Sequence, residues 1–280
     1  MPVSAMHLIR KMRGGAQAHL LQCDDGHCYV VKFCNNSQHP RILINEWISS
    51  AVLCHLQIST PRAELVNLSG EFLSHEPDVY IQLGSRRLEV QPGWHFGSRY
   101  PGDPSKMMVY DFLPDTMLER VVNKNDLLGV LVFDKWAANG DARQAIFCRK
   151  EPQQGSVFAD TSRDYGFVAH MIDHGYMFGG PYWSFGDSPL QGLYFRPTIY
   201  KNVRSLNDFQ PWLDAVLCFS EDVLDEARKQ IPPEWLIGEQ SALDALLAKL
   251  MSRRRRVPEL IWEATRGSVN PFPSMSAGGG

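Results

Sequence analysis

The sequence predicts an α+β chain in two lobes: a first lobe built on an antiparallel sheet with one helix, and a mainly helical second lobe. Three observations carry that expectation. Apolar runs at 19–23 and 28–33 flank Asp24-Asp25-Gly26, and Asp-Gly between such runs signals a hairpin, because glycine takes positive φ without steric cost. Ile44, Ile48, Val52 and Leu56 then recur at the spacing of a helix. Residues 92–104, PGWHFGSRYPGDP, gather glycine and proline into what reads as a linker, and beyond it the pattern turns helical. On this reading 1–98 form the first lobe, 99–266 the second and 267–280 a disordered tail.

Element by element, the hairpin is followed by a helix over 42–57, a turn at Pro61, a strand over 63–68 and a further strand within 79–91. In the second lobe, Asn125 or Asp126 caps a helix through LLGVLVFDKWAA, dense enough in apolar residues to be buried. Short strands follow at 145–149 and 166–172. Ser241 and Asp244 open a helix whose Leu243, Leu246, Leu247 and Leu250 share a face.

Bulk properties narrow the function classes. The formal net charge of −3 speaks against a general nucleic-acid binder, which carries a basic excess. The six cysteines form no C-x-x-C pair and so no zinc site; they read as reduced thiols of a soluble, cytoplasmic chain. No apolar stretch approaches membrane-spanning length. Arg253–Arg256 read as a solvated helix end rather than an RNA or lipid contact. The aromatics of 176–187 read as packing between lobes for the most part, with a substrate groove as the other use.

Five features suggest chemistry. Arg13-Gly14-Gly15-Ala16-Gln17 opens the first hairpin, and adjacent glycines let backbone N–H groups approach an anion closely. Lys32, in VVKF, falls between apolar neighbours on a strand; alone it would read as an edge lysine facing water. Glu46 lies at the boundary of the buried face of the next helix and can turn inward to Lys32. Then a buried helix ends in Asn139-Gly140-Asp141, with Arg143 and Gln144 directly before a strand. A second apolar strand ends in Asp173-His174-Gly175, where an acid on a turn can hold a metal. Moving a γ-phosphoryl group needs such parts: a flexible turn and a lysine for the phosphates, an acid to fix the lysine, one to orient the hydroxyl and one to hold Mg²⁺.

In this order, RGGAQAHLL, YVVKF, INE, FDKWAANGDARQAIF and MIDHGYMF resemble the HipA-like serine/threonine kinases over about residues 5–265, and more distantly protein and phosphatidylinositol kinases. The resemblance implies a two-lobed protein kinase-like fold, ATP and Mg²⁺ as cofactors, and phosphate transfer to a protein. Carried over by position, Gly14 and Gly15, with Ala16 and Gln17, are the phosphate loop, Lys32 the phosphate-binding lysine and Glu46 its partner. Asp141 is the catalytic acid and Asp173 the DFG-type metal ligand. Residues 95–99, among them Phe96 and Ser98, fall at the hinge that meets adenine through backbone groups. The family's metal-binding Asn is here Ile146, which cannot ligate Mg²⁺; Gln144 or Asn139 stands in for it. Its His is here Arg143, placing positive charge near the phosphates. Two other readings stay open: a nucleotide-binding pseudokinase, and a kinase for a lipid or small molecule.

Overall fold

The protein is described by a computed structural model covering residues 2–150, 166–188, 191–194, 196–266 and 270–275. In the first lobe β1 (Val3–Lys11), β2 (His19–Cys23) and β3 (Cys28–Lys32) lead into α1 (Arg41–His55). Next come β4 (Ala63–Leu68), α2 (Gly70–His75), a hairpin of β5 (Tyr80–Leu83) and β6 (Arg86–Glu89), and β7 (Gly93–Arg99). Five of the strands close into a barrel in the order β1-β2-β3-β7-β4. The Asp-Gly hairpin forms as expected, with Leu21 opposite Tyr29 and Gly26 at φ +77°. Every barrel pairing is antiparallel except β1 with β4, where Val3 lies beside Val66 and closes the sheet.

Two features of this lobe depart from expectation. The stretch 92–104 is not simply a linker, because β7 occupies its first half and pairs with β3 on one side and β4 on the other. Gly97 is there for packing, not for a turn: a Cβ on it would lie 2.5 Å from Val66 Cγ2. And α1 is buried almost all round, Asn45, Glu46, Ser49 and Ser50 included, because it is wedged between the barrel and the second lobe.

The second lobe begins with β8 (Val109–Tyr110), α3 (Asp115–Leu118) and α4 (Asp126–Trp136). Asp126 does not cap α4; its carboxylate accepts the Ser59 N–H instead, tying the end of the α1–β4 connection to this helix. Strands β9 (Gln144–Arg149) and β10 (Phe167–Ile172) pair antiparallel, with β8 on the far edge of β9. After them come α5 (Pro197–Tyr200), α6 (Trp212–Leu217), α7 (Glu221–Lys229), α8 (Gln240–Arg253) and α9 (Val257–Ala264). One apolar core runs through α1, α4 and these helices. The expected disordered tail is corrected over 270–275: Phe272 is fully buried and packs edge-on against Tyr200 and Phe209. The rest of that tail lies outside the described residues. Among the described residues no helix is long and apolar enough to cross a membrane.

Gly129 shows how tightly α4 is set. Alanine would gain about 1 kcal/mol of helix propensity. Its Cβ, however, would sit 2.6 Å from the indole nitrogen of Trp212. Overpacking of this kind costs about 1–3 kcal/mol. Gly129→Ala is therefore expected to lower the melting temperature, and an unchanged or higher one in calorimetry would show that Trp212 moves aside freely.

Candidate active site

A cavity of about 540 Å³ opens between the barrel and the β9–β10 pair. Its roof is the 12–18 turn with Val30, Lys32, Phe96 and Ser98; its floor holds Gln144, Ile146, Met171 and Asp173. Arg10, Lys11, Arg13 and Arg99 line its mouth, so the opening favours a polyanion.

Lys32 leaves β3 toward the floor, where its Nζ donates to Glu46 Oε1 and, at 2.7 Å, to Asp173 Oδ1. Burial alone would lower its pKa, but the two carboxylates outweigh that and hold it above the usual lysine value. Burial pushes Glu46 up while Lys32 pulls it down; with an ammonium in contact, the ionised pair is the state the geometry favours. Against its own burial, Lys32 holds the Asp173 carboxyl below the usual carboxylate range. Glu46, expected at the edge of a buried face and turned inward to Lys32, is 2% exposed and meets it.

Gly14 has a φ of +121° in open space, a conformation costly for any side chain. In the turn it allows, which lines the cavity, the Gly15 and Ala16 N–H groups have no partner among the described residues, while the Gln17 N–H bonds to Gly14 O at 3.1 Å. The Gln17 amide is engaged elsewhere too: it exchanges two 2.7 Å hydrogen bonds with the Gln82 backbone on β5, fixing the turn to the β5–β6 hairpin.

Asp173 ends β10 with a φ of +58° and a carboxylate 38% exposed to the cavity. Gln144 stands opposite Ile172 in the β9–β10 ladder, and its side chain is close enough to Asp173 to help lower that carboxyl. Ile146, two residues on and on the same face, forms part of the floor. Asn139 is buried, accepts the Asp141 N–H at 3.0 Å and does not line the cavity. Asp141 is exposed on the loop before Gln144, outside the cavity wall, its Oδ1 accepting the Ala142 N–H. Cavity and ladder thus gather the glycine turn, Lys32, Glu46, Gln144 and Asp173, and leave Asp141 outside the wall.

Two expectations are corrected. The backbone of Phe96–Ser98 is paired with β3 and β4 on both sides, so it cannot meet a base; the side chains of Phe96 and Ser98 line the cavity instead, and the chain first leaves the sheet near Tyr100. Arg143 does not line the cavity, although its charge helps to lower the Asp173 carboxyl. It is buried, with Nε 2.9 Å from Asp134 Oδ2, while Nη1 donates to Ile172 O at 3.1 Å and His174 Nδ1 at 3.0 Å. Sequence reading passed over Asp134, though an acid inside the apolar run Val132–Trp136 is a signal that something buried must answer it. It also passed over Thr60, whose hydroxyl donates to Met171 O and lies 3.3 Å from His174 Nε2.

The buried histidines are held neutral. His174 must accept from Arg143 and His95 from the Cys34 N–H, so each needs an unprotonated Nδ1. Burial lowers His95 to about 4 and His174 further below its ordinary value; His19 and His170 are lowered too. Below about pH 6.5 the unfolded chain takes up these protons and the folded one does not, so stability falls as pH falls. The expected slope is about 1.4 kcal/mol per pH unit for each such histidine. Urea denaturation between pH 7 and 5 measures it, and a flat profile would contradict the neutral network.

Comparison with known proteins identifies the fold and the family. A crystal structure of the Golgi casein kinase covers 98% of this chain and 76% of its own, at 11% identity and a TM-score of 0.50. Another, with Mn/ADP bound, covers 96% and 75% at 11% identity and a TM-score of 0.49. The fold is that of a two-lobed kinase. The family model described as HipA-like kinase matches residues 5–259, and the chain belongs to that family. Its family and fold are thus those of a phosphotransferase. A search of the curated proteins gives no match.

Proposed function

We propose that the chain transfers the γ-phosphoryl group of ATP, with Mg²⁺, to a serine or threonine hydroxyl of a protein in the cytoplasm. The observation that carries this is Lys32, held between Glu46 and Asp173 in the cavity that the glycine turn also lines, with the Gly15 and Ala16 N–H groups of that turn unpartnered among the described residues. On this reading the Gly15 and Ala16 N–H groups and Lys32 hold the phosphates, and Phe96 and Ser98 line the base end. Asp141 accepts the hydroxyl proton as the acceptor oxygen bonds to the γ-phosphorus and the bond to the bridging oxygen breaks. Positioning and charge neutralisation supply most of the rate.

The residues present suit Mg²⁺. Asp173 and the Gln144 carbonyl would hold it, and among the described residues no three acids or histidines gather. Asp173 and Gln144 both offer oxygen donors, the kind Mg²⁺ takes, with phosphate and water as its other ligands. When bound, Mg²⁺ neutralises phosphate charge. Gln144 beside Asp173 also weakens the pseudokinase reading that Ile146 suggests. The cytoplasmic reading is supported by six free cysteines.

Calorimetric titration of ATP with and without Mg²⁺, followed by transfer from γ-labelled ATP to mixed protein, tests the proposal. Mg²⁺-dependent binding and labelled phosphoserine or phosphothreonine are expected. Label found only in lipid or metabolites would move the acceptor class, and no binding in either condition would overturn the reading.

A further inference from the structure

Asn45 stands next to Glu46 on α1 and is completely buried. Its amide is directed at the backbone that follows Asp173. Nδ2 donates to Gly175 O at 2.7 Å, Met177 O at 3.0 Å and Gly180 O at 3.1 Å, and Oδ1 accepts from Trp183 Nε1 at 2.7 Å. All four bonds from one helix residue therefore reach a single segment of nine residues, 175–183.

That segment does not hold its shape by regular pairing. Phe178, Gly179, Gly180 and Trp183 all have positive φ, which is costly for Phe178 and Trp183 and persists only where surroundings fix it. The coil turns three carbonyls inward, and Asn45 is what they meet. One helical turn earlier, Arg41 completes the attachment. Its Nη1 donates to Pro181 O at 2.9 Å, its guanidinium lies 4.4 Å from the centre of the Trp183 ring, and Nε and Nη2 bind Glu239. Gly175 allows the close approach, since a Cβ there would lie 2.6 Å from Ile42 Cγ2.

The rotation of α1 decides whether Glu46 reaches Lys32, and Asn45 shares that helix one residue away. We infer that Asn45 is a positioning residue: by fastening α1 to 175–183 it holds Glu46 on Lys32, so the paired site is built by the chain's own segment. The inference rests on the kinase reading for its effect on rate, but not for its effect on structure. An amide that satisfies buried carbonyls leaves them unpaired when removed, which supports a loss of roughly tenfold to a hundredfold in an equilibrium that depends on it.

The test compares Asn45→Ala and Trp183→Phe with the natural chain at full length. The phenylalanine keeps a ring beneath Arg41 while removing the Nε1 donor and part of the indole's volume, a milder change than losing the Asn45 amide, so it guards against a variant that does not fold. Hydrogen exchange should accelerate in α1 and in 175–183 together, with α8 unchanged, and less in Trp183→Phe than in Asn45→Ala. In the transfer assay kcat should fall roughly ten- to hundredfold, with ATP affinity changed by less than about threefold. Faster exchange in 175–183 alone, with α1 protected and kcat intact, would overturn the inference and leave Asn45 as packing. If the natural chain neither binds ATP nor transfers phosphate, it is the kinase reading that fails. The paired exchange of α1 and 175–183 then still decides whether Asn45 joins them.

Discussion

Asp141→Asn should lower phosphoryl transfer by roughly 10²–10⁴-fold, the range for losing a positioned general base, while ATP affinity stays nearly constant. The expectation follows from where the residue sits. It is outside the cavity wall, so the nucleotide does not depend on it; it is exposed on the loop three residues before Gln144, which lines the cavity together with Asp173. Asparagine keeps the oxygen that accepts the Ala142 N–H at 2.7 Å, so the loop need not rearrange. What is lost is the ability to take a proton. Single-turnover rates at saturating ATP isolate that loss from binding. If Asp141 only closes a turn, the asparagine variant keeps its rate, and the base must be sought elsewhere.

What the sequence showed and what it hid have different physical origins. Lys32, Glu46 and Asp173 were legible because each breaks an apolar pattern: a lysine within a buried strand, an acid at the edge of a buried helix face, an acid closing an apolar strand. Their meeting at one point is what β3, α1 and β10 provide. Gly97 misled because a glycine required by close packing against Val66 looks, in a sequence, like one required by a turn. β1 was hidden for the opposite reason. Only Val3 and Ala5 of its nine residues are buried, so it shows almost no alternation, and its pairing with β2 and β4 fixes it instead. Gln17 could be placed on the phosphate turn but its use could not, since its partner Gln82 is 65 positions away. A separation about twice as long, 130 to 138 positions, lies between Asn45 and the segment it holds.

The buried pair of Asp134 and Arg143 carries the second large effect. Both side chains have no exposed surface, and neither was placed by residue pattern in a structural role. Asp134→Ala should cost about 3–5 kcal/mol, because it leaves a guanidinium buried without its counter-charge. Denaturation with urea measures this directly, and a loss below about 1 kcal/mol would mean that water or another acid reaches Arg143. The change alone does not say whether the pair matters beyond stability. Adding Arg143→Met to Asp134→Ala removes the stranded charge and fills the space, so most of the lost stability should return, as replacing a buried ion pair by apolar residues is often neutral. ATP affinity should not return with it. Arg143 donates to Ile172 O and to His174 Nδ1, the two residues on either side of Asp173, and that turn has a positive φ at a non-glycine residue. With both donors gone, the Asp173 turn relaxes toward less strained backbone and its carboxylate moves off Lys32. A double variant that is stable yet binds Mg²⁺–ATP weakly would assign the ion pair to holding the metal-side acid. One that is stable and binds as the natural chain does would confine it to the core of the second lobe.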